Sequence, residues 1–190
     1  MAKTKSSFLN MVLTLFVVTA VAATALGFVY EYTKEPIAAA KLKAKLEAVA
    51  LVVPEFNNNP SDDMYTLDSE LGVLECYPAK MNDELVGTAI STLTKIGYSG
   101  LIKIMVGFTP DGVIYASEAI EHMETPGLGT KMAEPKFKNQ FKGKNPATDK
   151  VMVTKDGGVI DAITASTITS RAYCDAIQRA FDAYMKGGKK

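Results

Sequence analysis

The chain lacks both an excess of basic charge and the residues from which most metal sites are built. Its 190 residues carry 21 Lys and Arg against 21 Asp and Glu, so the formal net charge is zero. Nucleic-acid-binding surfaces are usually basic because they neutralise phosphates, so this balance argues against a nucleic acid as partner. No internal repeat is present, and the length allows one domain of ordinary size with an attachment.

Histidine and cysteine are scarce. His122 is the only histidine, Cys76 and Cys174 are the only cysteines, and no CxxC motif occurs. A zinc or iron–sulfur site built by this chain alone is therefore not expected. A hydrolase would have to use His122 as its base, but no serine lies in a GxSxG motif, so no catalytic residue is predicted. An oxidising compartment would permit a disulfide between the two cysteines, and their spacing does not decide whether it forms.

Charge is absent from one long stretch near the N-terminus. The 23 residues from Phe8 to Tyr30 carry no charged side chain. As a helix they would extend roughly 35 Å, enough to cross a hydrocarbon core of about 30 Å. Lys3 and Lys5 precede the run and Glu31 follows it. We therefore predict a single-pass protein of the cell inner membrane, and the positive-inside rule places residues 1–7 in the cytoplasm and residues 31–190 in the periplasm or otherwise outside the cytoplasm.

A cleaved signal peptide is the alternative interpretation of the same run. Ala20–Ala22 and Ala23–Ala25 both have the small-x-small pattern of a cleavage site. The apolar run continues to Tyr30, which is longer than a typical signal sequence and favours a retained anchor. Under either interpretation the following residues are exported.

A helix is predicted directly after the anchor, within a juxtamembrane segment that covers residues 31–55. The Ala-, Lys- and Leu-rich residues 37–49 are strong helix formers, Pro36 suits the first turn, and Pro54 ends the helix. The Asn- and Asp-rich residues 57–63 that follow predict a surface loop.

Residues 56–190 are predicted to form the exported domain. Asp111-Gly112 lies between two apolar runs and indicates a hairpin, and Asp156-Gly157-Gly158 suggests a second between residues 150–153 and 159–160. Apolar residues from Ile168 to Tyr184 recur at helical spacing, and Gly187-Gly188 would end that helix. The fold class is α+β, an antiparallel sheet packed by helices. Four segments have strand character, namely 73–77, 85–93, 101–108 and 113–116.

Three stretches have a composition suited to ligand binding. Residues 161–170 place Thr164, Ser166 and Thr167 at the start of the last helix, more hydroxyl groups than one helix cap requires. This pattern fits either a capped helix or a phosphate site, because a helix N-terminus carries free N–H groups and positive partial charge. The glycine-rich stretches 124–131 and 97–100 would let the backbone approach a flat ligand, although ordinary surface turns share this composition.

Together these stretches resemble the covalent-flavin G subunits of Rnf-type ion-translocating oxidoreductases. The resemblance covers nearly the whole chain and rests on Gly97–Ile102, Glu124–Gly129 and the motif that runs from Asp161 to Thr167. The motif in that family has the form Asp-x-x-Ser/Thr-Gly-Ala-Thr, so here Ala165 and Ser166 replace the usual Gly and Ala. The chain is similar, less closely, to the C subunit of the sodium-translocating NADH:quinone reductase.

The resemblance implies a cofactor and its site. FMN would be linked through its phosphate to Thr167 by a flavin transferase, and the partners would be other membrane and redox subunits of the complex. Two alternatives stay open: a membrane-anchored flavin-binding or sensory module outside any pump, and a plain structural domain with a capped helix. The resemblance assigns the attachment motif to Asp161, Thr164, Ala165, Ser166 and Thr167, and contacts with the flavin ring to Tyr98, Thr125, Gly127, Leu128 and Gly129.

Overall fold

A computed structural model describes residues 7–187 of the chain. The chain divides into two compact units between Lys43 and Ala44. Lys3, Lys5 and Gly188, to which the sequence assigned roles in topology and helix termination, lie outside the described residues.

The first element is one long helix, α1 (Phe8–Val52). Hydroxyl groups in its uncharged part bond to the helix itself, as in the 2.7 Å bond from Thr14 Oγ1 to the Asn10 carbonyl, so they do not remain unpaired in an apolar surrounding. Within the described residues it is the one helix that is long and apolar enough to cross a membrane.

The position of Pro36 corrects the sequence prediction. Pro36 lies inside α1 instead of in the first turn of a second helix, so the predicted anchor and juxtamembrane helix are one element. Proline inside a helix removes a hydrogen bond and costs about 3 kcal/mol. The Ala-, Lys- and Leu-rich residues that follow it are strong helix formers, which explains how the helix continues. Its end at Val52 agrees with the prediction that Pro54 follows the helix.

The sheet is a five-stranded antiparallel meander in which every strand pairs with its neighbours along the chain. It confirms the α+β class. The hairpin at Asp111-Gly112 is present, with Gly112 at φ 82°. The strands are β1 (Tyr65–Ser69), β2 (Gly72–Met81), β3 (Glu84–Gly97), β4 (Gly100–Phe108) and β5 (Ile114–His122).

The C-terminal helix, α3 (Thr167–Gly187), covers one face of the sheet and forms the larger core. Its apolar residues recur at three- and four-residue spacing, and Phe108 of β4 stacks on Tyr184 with ring centroids 5.6 Å apart. The other face is covered by the last turns of α1, through residues that include Val49 and Val52. The backbones of β4 and α1 approach closely here: a Cβ added to Gly107 would lie 1.7 Å from the Val52 carbonyl oxygen.

The segment between β5 and α3 contains the short helix α2 (Pro135–Lys138) and two 3₁₀ turns, Gly129–Ala133 and Thr154–Asp156. The second predicted hairpin is wrong, since Val153 and Ile160 form an isolated parallel bridge. Residues 154–156 form a 3₁₀ turn instead of a hairpin turn. The segments on either side of it therefore run parallel to each other, not antiparallel.

Both cysteines are buried and free. Burial raises the pKa of the Cys76 thiol and that of the Cys174 thiol to about 12. Both are therefore protonated, unreactive core residues.

Candidate functional site

A cavity of about 500 Å³ lies where three parts of the domain meet. These are the turn between β3 and β4, the loop after β5, and the start of α3. They are the same three stretches that the sequence singled out. The lining residues are Tyr98, Glu124, Thr125, Leu128, Gly129, Ala165, Ser166, Thr167, Ile168 and Thr169.

Most of the residues predicted to form the site line this cavity, and three do not. Gly127 shapes the loop from outside, with φ 76° and its N–H donated to Thr130 Oγ1 at 3.0 Å. Asp161 and Thr164 are exposed and do not line the cavity. The main chain of Asp161 pairs with the side-chain amide of Gln140 at 2.7 and 3.2 Å, so the start of the motif is fixed while its carboxylate is exposed.

A buried serine fixes the turn that leads into α3. Ser170 Oγ accepts the Ile163 N–H at 2.9 Å and donates to the Ser166 carbonyl at 2.9 Å. The turn also requires a left-handed residue, and Ala165 occupies that position with φ 62°. The left-handed conformation is unfavourable for a residue with a Cβ, so this turn is strained at Ala165.

Thr167 is the first residue of α3, and a lysine lies next to its hydroxyl. Lys155 Nζ donates to Thr167 Oγ1 at 3.3 Å. The turn that carries Lys155 is attached to α3 by a two-pronged ion pair, in which Arg171 contacts both carboxylate oxygens of Asp156 at 2.7 Å. The hydrogen bond and the charge of Arg171 hold the pKa of Asp156 below its ordinary value. The Thr167 hydroxyl therefore lies beside a cation and at the N-terminal end of a helix, which carries positive partial charge. Both features favour the binding of a phosphate group.

Glu124 forms a wall of the cavity, a role that the sequence alone did not predict. The residue is 4% exposed. One oxygen accepts the Ser99 N–H at 3.1 Å, and the other accepts the Thr169 hydroxyl at 2.9 Å. The carboxylate fits only because two neighbours have no side chain: a Cβ on Gly97 or Gly129 would lie 2.8 or 2.5 Å from its oxygens.

In the described residues, neither His122 nor a metal-binding cluster contributes to this cavity. His122 ends β5, where it pairs with Ile102, and it does not line the cavity. Within residues 7–187, no group of three or more His, Cys, Asp or Glu side chains could hold a metal ion.

The cavity has two chemically distinct parts. Tyr98, Leu128 and Ile168 supply large apolar side chains that are partly exposed, while Thr167 supplies a hydroxyl that accepts a hydrogen bond from the Lys155 cation outside the lining. Its volume lies in the range of small-molecule sites, roughly 300–1,000 Å³. A flat aromatic ring joined to a phosphate would match both parts.

Comparison with known proteins first defines the class. Residues 97–182 match the FMN-binding domain family, so the chain contains an FMN-binding domain, preceded by a helix that is long and apolar enough to cross a membrane. The fold is shared with NqrC of Shewanella oneidensis, at a TM-score of 0.50 and 19% identity over 73% of this chain and 69% of that one.

Relatives of greater similarity then define the family. The chain is 36% identical to the G subunit of the Na(+)-translocating ferredoxin:NAD(+) oxidoreductase complex of Acetobacterium woodii, over 93% of this chain and 91% of that protein. It is 33% identical to the G subunit of the ion-translocating oxidoreductase complex of Cereibacter sphaeroides, over 95% and 85% respectively. The chain belongs to this family of G subunits.

Proposed function

We propose that this chain is the electron-carrying subunit of a membrane-bound ion-translocating oxidoreductase complex, with FMN attached by a phosphodiester to Thr167. The observation that supports the proposal best is the position of Thr167. It lines the cavity of an FMN-binding domain, at a helix start, with its hydroxyl 3.3 Å from the Lys155 ammonium group.

The attachment replaces the phosphoanhydride bond of FAD by a phosphoester bond to Thr167. Thr167 Oγ1 forms a bond to the FMN phosphorus of FAD, the pyrophosphate bond breaks, AMP leaves, and the hydroxyl proton is lost. A flavin transferase catalyses this step. Asp161 and Thr164 are exposed beside the acceptor, so they are accessible to that enzyme as parts of its recognition motif.

Lys155 and the start of α3 stabilise the product. A phosphodiester carries one negative charge at neutral pH, and the described contacts place one lysine beside its bridging oxygen. The first N–H groups of α3 have no partner within the helix and can bond to the phosphate oxygens. Ser166, Ala165 and Thr125 are short enough to leave room around it.

The remaining lining residues hold the flavin ring. Bound FMN supplies the redox chemistry, exchanging one or two electrons, and the protein supplies position and electrostatics. Tyr98, Leu128 and Ile168 expose apolar surface that the ring would cover. Gly129 lines the cavity without a side chain that would project into it, and Gly127 adopts the left-handed conformation that the loop requires.

The covalent link and the anchor serve the same purpose. The domain lies outside the cytoplasm in this proposal, with residues 1–7 inside, so a dissociated flavin would be lost by dilution. The anchor keeps the domain at high effective concentration near the other membrane and redox subunits. Residues 8–30 contain no ionisable side chain except tyrosine, so the ions must cross through those other subunits.

In-gel fluorescence tests the attachment. Full-length protein co-expressed with a flavin transferase should keep yellow-green fluorescence after denaturation and electrophoresis. Thr167→Val should abolish it, because the acceptor oxygen is gone. Thr148→Val is the matched control, because it removes an exposed threonine hydroxyl that does not line the cavity, and it should remain fluorescent. A dark wild type or a fluorescent Thr167→Val variant would contradict the proposal.

Two neighbouring functions share the same chemistry. The fold similarity to NqrC is compatible with the equivalent subunit of a sodium-translocating NADH:quinone reductase, and an anchored flavin module outside a pump would need the same cavity. Purification in mild detergent separates these functions. Co-purification with membrane redox subunits of a ferredoxin-linked complex supports the proposal, and isolation of the flavinylated chain alone counts against it.

A further inference from the structure

Glu124 places a carboxylate in the wall of the cavity without a cation to balance it. The side chain is almost completely buried, and none of the ion pairs among residues 7–187 includes it. Both oxygens have a hydrogen-bond partner, one the Ser99 N–H and the other the Thr169 hydroxyl, and both partners are neutral. Burial of a charge with only neutral partners is unfavourable.

The structural role of this side chain does not require its charge. Glu124 connects the β3–β4 turn, through Ser99, to the first turn of α3, through Thr169. A glutamine of the same shape could accept the Ser99 N–H with its oxygen and donate its amide to the Thr169 hydroxyl, since a hydroxyl both donates and accepts. The connection would persist and the buried charge would be absent. The charge therefore calls for a separate explanation.

We propose that Glu124 is a redox-tuning residue, whose negative charge lowers the reduction potential of the flavin in this cavity. The inference rests on the proposed function, because it assumes that FMN occupies the site. Reduction adds negative charge to the ring. A carboxylate that is itself buried in the cavity wall repels that charge more strongly than it would in water, so the oxidised form is favoured.

Redox titration of the full-length flavinylated protein tests this role. The midpoint potential is read from flavin absorbance in a spectroelectrochemical cell. Glu124→Gln should shift the potential in the positive direction while the hydrogen bonds to Ser99 and Thr169 are kept. Glu84→Gln is the matched control, because it removes an equal charge from an exposed position at the opposite end of β3 and should leave the potential unchanged.

The outcomes separate tuning from structure. A positive shift in Glu124→Gln but not in Glu84→Gln supports the proposal, whereas equal potentials in wild type and Glu124→Gln overturn it, even if the variant melts at a lower temperature. If Glu124→Gln takes up no flavin, Glu124→Asp gives the answer. Its charge retreats by one methylene, so a smaller positive shift supports the proposal and an unchanged potential overturns it.

Failure of the proposed function would be recognised separately. A wild-type chain without covalent flavin would remove the proposed function and this inference together. A flavinylated wild type whose potential does not respond to Glu124 would remove this inference alone.

Discussion

The strained turn at Ala165 gives a sharp prediction for Ala165→Gly. The alanine has φ 62°, a left-handed conformation that costs a residue with a Cβ roughly 1–2 kcal/mol. Glycine adopts it without strain but makes the unfolded chain more flexible, which offsets about 0.4–1 kcal/mol of the gain. Because Ala165 is exposed, its methyl group contributes little burial that would be lost. The variant should therefore be more stable than wild type by about 0.5–1 kcal/mol.

Calorimetry measures this gain without a tryptophan probe, which the chain lacks. For a domain of this size, 1 kcal/mol corresponds to roughly 2–4 °C in Tm, so the full-length protein in detergent should unfold about 2 °C higher. Ala147→Gly is the matched control. Ala147 is also exposed but does not have positive φ, so only the flexibility of the unfolded chain changes and Tm should fall. If both variants shift Tm downward by the same amount, strain at Ala165 is not real.

Three further variants probe other parts of the structure. Lys155→Gln should reduce the flavinylated fraction at limiting transferase roughly two- to fivefold, as judged by gel fluorescence. The effect is expected to be modest because exposed charge contacts are weak. An unchanged fraction would mean that Lys155 does not contribute to attachment at Thr167. Gly107→Ala should lower the free energy of unfolding by about 3 kcal/mol or more in urea titration, since its Cβ would overlap a carbonyl at the end of α1; a small loss would mean that this helix end moves easily. Burial raises the pKa of Glu75, but hydrogen bonds from Lys45 and a neighbouring tyrosine lower it by more than burial raises it. The pKa of Glu75 therefore lies below its ordinary value of 4.5. The stabilisation of the folded state by ionised Glu75 is present above about pH 4.5 and is lost as pH falls through the lower folded pKa. The Tm of Glu75→Gln should therefore depend less on pH than the Tm of wild type between about pH 5 and 3. Parallel curves of Tm against pH for the two proteins would contradict this prediction.

Much of the fold follows from local patterns in the sequence. An uncharged apolar run as long as residues 8–30 predicts a helix, and no other secondary structure fits it equally well. Asp111-Gly112 between two apolar runs predicts the hairpin between β4 and β5. The errors occur where local signals conflict with context. Pro36 is accommodated by strong helix formers around it, and Asp156-Gly157-Gly158 serves a 3₁₀ turn instead of a hairpin. Strand β1 was not predicted, because Thr66 is its only β-branched residue; in the structure it pairs with β2, and Tyr65 and Leu67 pack against the core.

The site was predictable to the extent that its residues lie in recognisable stretches. Tyr98, Leu128 and Thr167 come from three separate segments and line one cavity. Glu124 was missed because nothing in its neighbourhood in the sequence indicates burial. Its position depends on two glycines, Gly97 and Gly129, which leave room for the carboxylate only after the sheet and α3 have packed.

Attachment of FMN to Thr167 is tested most directly by locating the flavin by mass. Full-length protein co-expressed with a flavin transferase is digested, and its peptides are sequenced by tandem mass spectrometry. The peptide that contains Thr167 should carry the mass of FMN less one water, with the fragment ions assigning it to Thr167. The same mass on Thr164 or Thr169, or on no peptide of the chain, would contradict the proposed attachment.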